Sequence, residues 1–389
     1  MRLMNCILLA LFCLSASAFA EPKSIEVISH SIVTDTIEDA VSPSGLVRTK
    51  NGDYLVTFAN AGDVDVGCTA FLCRSTDGGK SWSAPERVWK PSKDTEGVAC
   101  NLHNLPDGNI LLVIERITYK SNKPRKETRS FNHFIGRYST LELQLCTDAD
   151  GKEFKHLCFL DNVNNALCAN SSIVVEFPNG DWVLPGYATS HTRPKPNATD
   201  GSGYWRSKDK GKSWGKFEVA FDAYTKKEDK YIVFTENAFF VKADGTIVAY
   251  ARQDSSSYSE CYAYRIESKD NGESWSKPEE TNLVINYFSF LKHSDGSTLL
   301  LAGDRKSVPS TRHVTIFSSA DGESFQALGK VYCSRGKPGG YPFNAATGGC
   351  QRFVPMEEPN RYLIVFYSFD KTLPGFFQTY IDSNIVEVK

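Results

Sequence analysis

Aspartate recurs at one fixed place in a repeated octamer: STDGGKSW from Ser75 to Trp82, SKDKGKSW from Ser207 to Trp214 and SKDNGESW from Ser268 to Trp275, with a shortened SADGESF from Ser319 to Phe325. A carboxylate in such a setting is a candidate general acid or calcium ligand. Repetition argues against both, because a site needs groups that converge and a recurring motif scatters them. The same residues make a sound turn: Ser and Asp side chains bond backbone groups two residues on, Gly takes positive φ, and the aromatic opens the next strand. Asp77, Asp209 and Asp270 are therefore expected to hold the chain in shape, remote from any chemistry.

Other chemistry-bearing patterns are sparse. The chain has no HExxH, P-loop or dinucleotide fingerprint and no CxxC pair, so no metal and no organic cofactor is expected. His103, His133 and His191 are the histidines to consider as general bases. Two segments, 119–139 and 188–207, mix basic, aromatic and histidine residues; long loops of this kind line a pocket or remain solvated excursions. Asn170 and Asn197 head glycosylation sequons, which matter only in a eukaryotic source.

The elements that must position any site come from a second repeat, an apolar strand, a polar turn ending in Gly, and another apolar strand. It appears in SGLVRTKNGDYLVTF, VACNLHNLPDGNILLVI, SSIVVEFPNGDWVLPGY, ENAFFVKADGTIVAYAR and FSFLKHSDGSTLLLAGD, and in GCQRFVPMEEPNRYLIVFY with Asn360 where the others have Gly. Asn-Gly and Asp-Gly turns with Val, Leu, Ile, Phe and Tyr on both flanks read as β-hairpins. The turn residues Gly52, Gly108, Gly180, Gly245, Gly296 and Asn360 are 56, 72, 65, 51 and 64 apart. That spacing leaves room for a second hairpin per unit, and the octamer falls in that slot. Six four-stranded antiparallel units repeated radially make an all-β six-bladed β-propeller, in which a single domain can exceed the usual length.

The first twenty residues have a basic start at Arg2, an apolar run through Cys13 and small residues at Ala18 and Ala20. This is the layout of a cleavable signal peptide ending before Glu21, so residues 21–389 are expected to form one exported, secreted or periplasmic, propeller domain with no membrane span. With 44 basic and 46 acidic residues the net charge is −2, which offers nothing to nucleic acid or an anionic membrane. A monomer is the expected state. Of 11 cysteines, Cys6 and Cys13 lie in the leader; the odd nine that remain are read mainly as small buried apolar residues rather than a disulfide framework.

The octamer is the Asp box. Several Asp boxes on a six-unit all-β chain resemble the sialidase superfamily, whose members are six-bladed propellers, and the resemblance covers nearly the whole of residues 21–389. It implies a glycan substrate and a site in which arginines hold a substrate carboxylate, a Glu assists a Tyr nucleophile and an Asp serves as acid/base. Arginine forks suit a carboxylate, and a phenol with a reference pKa near 10 needs a nearby carboxylate to become a nucleophile. The family pattern places a Glu nine residues before the turn Gly and an Arg seven after it; Glu236 and Arg252 meet both spacings around Gly245. Asp65, ten residues before Ser75, resembles the acid/base, with Asp63 in reserve. Arg312 resembles the third arginine, with Arg305 in reserve, and Tyr341 resembles the nucleophile.

Two departures from the family stand out. Ser42 occupies the place of the first arginine, with Arg48 close by in a short hairpin, and Ser368 occupies the place of the glutamate that supports that arginine. Losing one fork of a carboxylate clamp costs roughly 2 kcal/mol. The resemblance implies an exo-glycosidase cleaving a terminal acidic sugar, sialic acid by analogy. A propeller lyase or glycosidase acting on uronate- or rhamnose-containing glycans, with a histidine from the long segments as base, and a glycan-binding propeller without catalysis are the alternatives.

Overall fold

The computed structural model describes residues 23–60, 65–119, 122–123, 138–161, 167–168, 172–188, 201–222, 225–227, 230–254, 262–305, 313–331, 351–370, 372–375 and 378–389. All regular structure among them is β. The first blade is β2 (Val41–Arg48), β3 (Tyr54–Ala59), β4 (Ala70–Ser75) and β5 (Glu86–Trp89); the second is β6 (Glu96–Asn104), β7 (Ile110–Thr118), β8 (Tyr138–Cys146) and β9 (Lys155–Phe159). In the third, β10 (Leu167–Cys168) and β11 (Val175–Glu176) share the inner edge of β12 (Trp182–Ala188), followed by β13 (Gly201–Ser207) and β14 (Phe217–Asp222). The short β15 (Thr225–Lys227) turns into β16 (Lys230–Val241), which with β17 (Ile247–Asp254), β18 (Tyr262–Ser268) and the first part of β19 (Glu279–Lys292) forms the fourth blade. The rest of β19 with β20 (Thr298–Asp304), β21 (His313–Ser319) and β22 (Gln326–Lys330) forms the fifth. The sixth takes β23 (Arg352–Pro355), β24 (Arg361–Phe369) and β25 (Thr379–Val388), and its outer strand is β1 (Ile25–Thr34) from the other end of the chain.

All pairings are antiparallel, and pairing β1 to β25 closes the six-bladed β-propeller across its ends. Every predicted hairpin turn is present, including the one without glycine: Asn360 takes φ +63°, the left-handed conformation that Gly supplies elsewhere. The core is divided among the blade interfaces. Val98, Leu102 and Leu112 meet Val47 and Leu55 between the first two blades, and Ala238, Phe240 and Tyr250 meet Ile285, Phe290 and Leu300 between the fourth and fifth. Each such side chain contributes about 1.5–3 kcal/mol when fully buried.

The Asp boxes fasten these interfaces. In the first, Ser75 Oγ accepts the Gly79 N–H at 2.8 Å and donates to Asp77 Oδ1 at 2.8 Å, while Asp77 accepts the Lys80 and Ser81 N–H groups at 3.1 and 2.9 Å. Ser207/Asp209 and Ser268/Asp270 repeat the pattern. A Cβ on Gly79 would stand 2.6 Å from Leu363 of the sixth blade, and one on Gly322 would stand 2.7 Å from Phe240 of the fourth, so the bare glycines let each box dock on the preceding blade. A fifth box that the sequence reading missed lies in the second blade. There Cys146 replaces Ser, its thiol donating to Asp148 Oδ2 at 2.9 Å, and Asp148 accepts the Lys152 and Glu153 N–H groups. Its glycine, Gly151, is displaced by one residue and packs on Thr49 and Leu55 of the first blade. Among the described residues Cys68, Cys73, Cys100 and Cys146 are buried and Cys158 is half-buried, which suits small apolar residues apart from the substitute role of Cys146.

Inner hairpin turns and boxes share one end of the molecule. Asn51 Nδ2 donates to Asp150 Oδ1 at 3.0 Å, Lys50 Nζ to Asn109 Oδ1 at 2.6 Å, and the Asn179 N–H to Asn271 Oδ1 at 3.1 Å. The inner strands start, and the second strands finish, at the other end.

Candidate functional site

At that other end the inner strands break their regular pairing, and the breaks coincide with unusual backbone. On β16, Thr235 faces Arg252 and Asn237 faces Ala251, leaving Glu236 as an extra residue at φ +26°. On β19, Asn286 faces Gly303 and Ser289 faces Leu301, with Tyr287 at φ +54° inside the slip. On β2 the slip falls between Val41 and Gly45 and holds Ser42 at φ +53°. Positive φ is costly for residues with a side chain, and bulges re-aim side chains. The fold spends this distortion in three blades at one level.

Glu236 and Arg252, selected by spacing, are in contact. Arg252 Nη1 lies 3.3 Å from Glu236 Oε1, with the two side chains 16% and 8% exposed, and Arg252 Nε donates to Thr235 Oγ1 at 3.2 Å. Glu236 Oε2 accepts the N–H of Tyr287 at 3.0 Å, while the Tyr287 carbonyl accepts from Gln351 Nε2 at 2.8 Å. A chain of polar contacts thus runs through the fourth, fifth and sixth blades around the axis. Both oxygens of Glu236 are engaged, yet each has a second lone pair for an incoming proton.

Asp65 is buried in the turn that precedes β4; its Oδ1 accepts the Val66 N–H at 2.7 Å and its carbonyl accepts the Cys68 N–H at 2.9 Å. Gly67 of the same turn donates to the Glu96 carbonyl at 2.9 Å, which seats Asp65 at the start of the second blade, on the end where Glu236 lies. Arg305 is fully buried just beyond β20, its N–H bonded to the Val284 carbonyl at 2.9 Å. Tyr341, Arg312, Asp63, His133 and His191 lie outside the described residues, as do most of segments 119–139 and 189–200.

Arg48 is not near this end. It pairs with Glu357 beside the hairpin turns, and its N–H bonds Asn104 Oδ1 at 3.0 Å. Ser42, at the bulge of the first blade's inner strand, therefore stands at the site end beside that blade's Asp65, and it carries no charge. Ser368 is buried on β24. His103 is enclosed deeper in the second blade with Arg352 Nη2 3.5 Å from its Nδ1; burial, with that guanidinium adding to it, holds its pKa well below the usual 6.5, so it stays neutral in the wall. Two residues escaped the sequence reading though the same ruler reaches them. Tyr287 is nine residues before Gly296, as Glu236 is before Gly245, and buried Glu115 is seven after Gly108, as Arg252 is after Gly245.

Residues 165–349 match the family described as BNR repeat-like domain. No curated protein matches the chain in sequence. Among solved structures, a Dyadobacter fermentans protein of unknown function superposes with TM-score 0.70 at 18% identity, covering 94% of this chain and 100% of its own. The intramolecular trans-sialidase of Ruminococcus gnavus gives TM-score 0.58 at 13% identity, covering 92% and 96%. An α-L-arabinofuranosidase of Fusarium graminearum gives 0.59 at 13%, covering 93% and 98%. Among the described residues no helix is long and apolar enough to cross a membrane. Repeats, blade topology and structural neighbours together show that this chain has the six-bladed β-propeller fold, and its middle part is similar to the BNR repeat-like family.

Proposed function

We propose that the protein is a glycoside hydrolase that removes a terminal sugar from a glycan, with an acidic sugar of the sialic acid type as its first substrate class. The observation that carries this reading is Glu236. It is a carboxylate held on a strained bulge, clamped by Arg252 and a backbone N–H, at the end of the propeller where the inner strands begin. Sites that store backbone strain and a buried ion pair do so at a cost that function offsets.

In this mechanism Tyr341 attacks the anomeric carbon as Glu236 takes its phenolic proton, and Asp65 protonates the departing oxygen. A neutral phenol avoids driving a second negative charge against an anionic sugar. Arg252 and Arg312 hold the substrate carboxylate, with Arg305 in reserve. Water then bonds the anomeric carbon as the tyrosine–sugar bond breaks, Asp65 now taking the water's proton as base while Glu236 returns its proton to the departing phenolate. The basic and apolar layout of residues 1–20 supports export to where such glycans occur.

One observation favours a neutral sugar as a second reading. Ser42 and Ser368 leave the first blade's side of the clamp uncharged, and Arg252 already has Glu236 as its counter-ion. Offering the protein sialosides, arabinofuranosides and uronate-bearing glycans side by side separates the readings by the sugar set free. Intact hydrolysis in both Glu236→Gln and Tyr341→Phe would sink the assignment.

A further inference from the structure

The bulge on β19 re-aims one side chain. Ile285, Phe288 and Phe290 all pack on the fourth blade, although an unbroken strand would send residues 285 and 288 to opposite faces. The extra residue that restores the pattern is Tyr287. Its neighbours Asn286, Phe288 and Ser289 are buried, whereas Tyr287 is partly accessible. Its backbone is gripped on both sides, the N–H by Glu236 Oε2 at 3.0 Å and the carbonyl by Gln351 Nε2 at 2.8 Å. Gly would adopt φ +54° without strain, yet the chain places a large aromatic there.

Glu236 is the extra residue of the matching bulge one blade earlier, at the same distance from its turn. Two neighbouring blades thus use one device to present two side chains at one level. We propose that Tyr287 is a substrate-contacting residue beside Glu236, its ring serving as a wall for the face of a sugar. The C–H-rich face of a pyranose or furanose suits an aromatic ring, while a hydroxyl at its rim meets the polar edge. Tyr287 also ties specificity to the carboxylate, because the peptide that carries the ring is the one that holds Glu236 Oε2. This inference rests on the glycosidase reading for its substrate class.

The test uses the full chain with Tyr287→Gly and Tyr287→Phe, each followed by thermal unfolding, by calorimetric binding of the glycan panel and by hydrolysis of the same panel. Gly suits the backbone, so Tyr287→Gly is expected to fold with Tm at or near the parent's and to lose about tenfold or more in glycan affinity, the size of an aromatic contact. Tyr287→Phe is expected to retain most of that affinity. Hydrolysis by the parent with Tyr287→Gly equal to it in KM and kcat overturns the inference and leaves the glycosidase reading standing. Binding without hydrolysis in the parent, lost in Tyr287→Gly, supports the inference and overturns the glycosidase reading. A parent that neither binds nor hydrolyses any glycan of the panel overturns both. If Tyr287→Gly fails to fold, Tyr287→Asn, which also tolerates positive φ, and Gln351→Leu decide: a wild-type KM in both overturns the inference.

Discussion

Glu236 and Arg252 form a nearly buried ion pair, and its energy is open to measurement. At 3.3 Å and an effective dielectric constant of about 20, two unit charges attract by roughly 5 kcal/mol before desolvation is subtracted. Desolvation takes back much of that, so the net coupling is expected at about 1–3 kcal/mol. Glu236→Gln keeps the side chain's shape and an acceptor for the Tyr287 N–H but removes the charge. Arg252→Met keeps most of the stem and removes the guanidinium. Each single change strands one partner in a poorly solvated place and should cost about 2–4 kcal/mol, while the double change costs less than their sum. Urea unfolding of the four proteins closes the cycle. A coupling below about 0.5 kcal/mol, the scatter expected of independent sites, would refute the claim that the two side chains act as a unit.

Asp77→Ala removes the acceptor for two backbone N–H groups and two hydroxyls; it should cost about 1–3 kcal/mol in urea and leave turnover of any accepted glycan unchanged, which separates fastening from catalysis. Acid should loosen these boxes in a defined window. Hydrogen bonds, first from Ser81, hold the pKa of Asp77 down to about 2, those from Ser274 do the same for Asp270, and the Ser324 N–H leads for Asp321. A depressed folded-state value means stability fully present above pH ~4 and lost as pH falls toward 2, so Asp77→Asn should flatten that part of the pH–stability curve. Cys146→Ser restores the usual box residue and should leave stability within about 1 kcal/mol of the parent, whereas Cys146→Ala, leaving Asp148 without its thiol donor, should lower it by about 1 kcal/mol; equal unfolding midpoints for Ser and Ala would deny the thiol its role.

The fold was legible because its signals are local. An Asn-Gly or Asp-Gly between apolar runs names a hairpin wherever it occurs, and even the glycine-free turn at Asn360 follows the same rule, since Asn tolerates positive φ. The fifth box was hidden for a chemical reason: a thiol replaces the hydroxyl and one inserted residue moves the glycine, and neither change prevents Asp148 from gathering its donors. Glu236 and Arg252 could be found by counting from a turn. The same count reaches Tyr287, but its backbone distortion had no signal, because a bulge is a property of paired strands, and nothing in FSFLKHSDG states that β20 will slip by one residue against β19. Ser42 shows the converse. Its place was readable from spacing, but Arg48 could be set aside only once its pairing with Glu357 placed it at the far end of the molecule.

The account stands most directly on one incubation: the full chain and its Glu236→Gln variant with sialylated, arabinosylated and uronate-bearing glycans, following free sugar and ultraviolet-absorbing unsaturation together. The account predicts a saturated terminal sugar released by the parent and a loss of about a hundredfold or more in the variant, the range of a missing acid–base group. An unsaturated product, or equal release by both proteins, would contradict it.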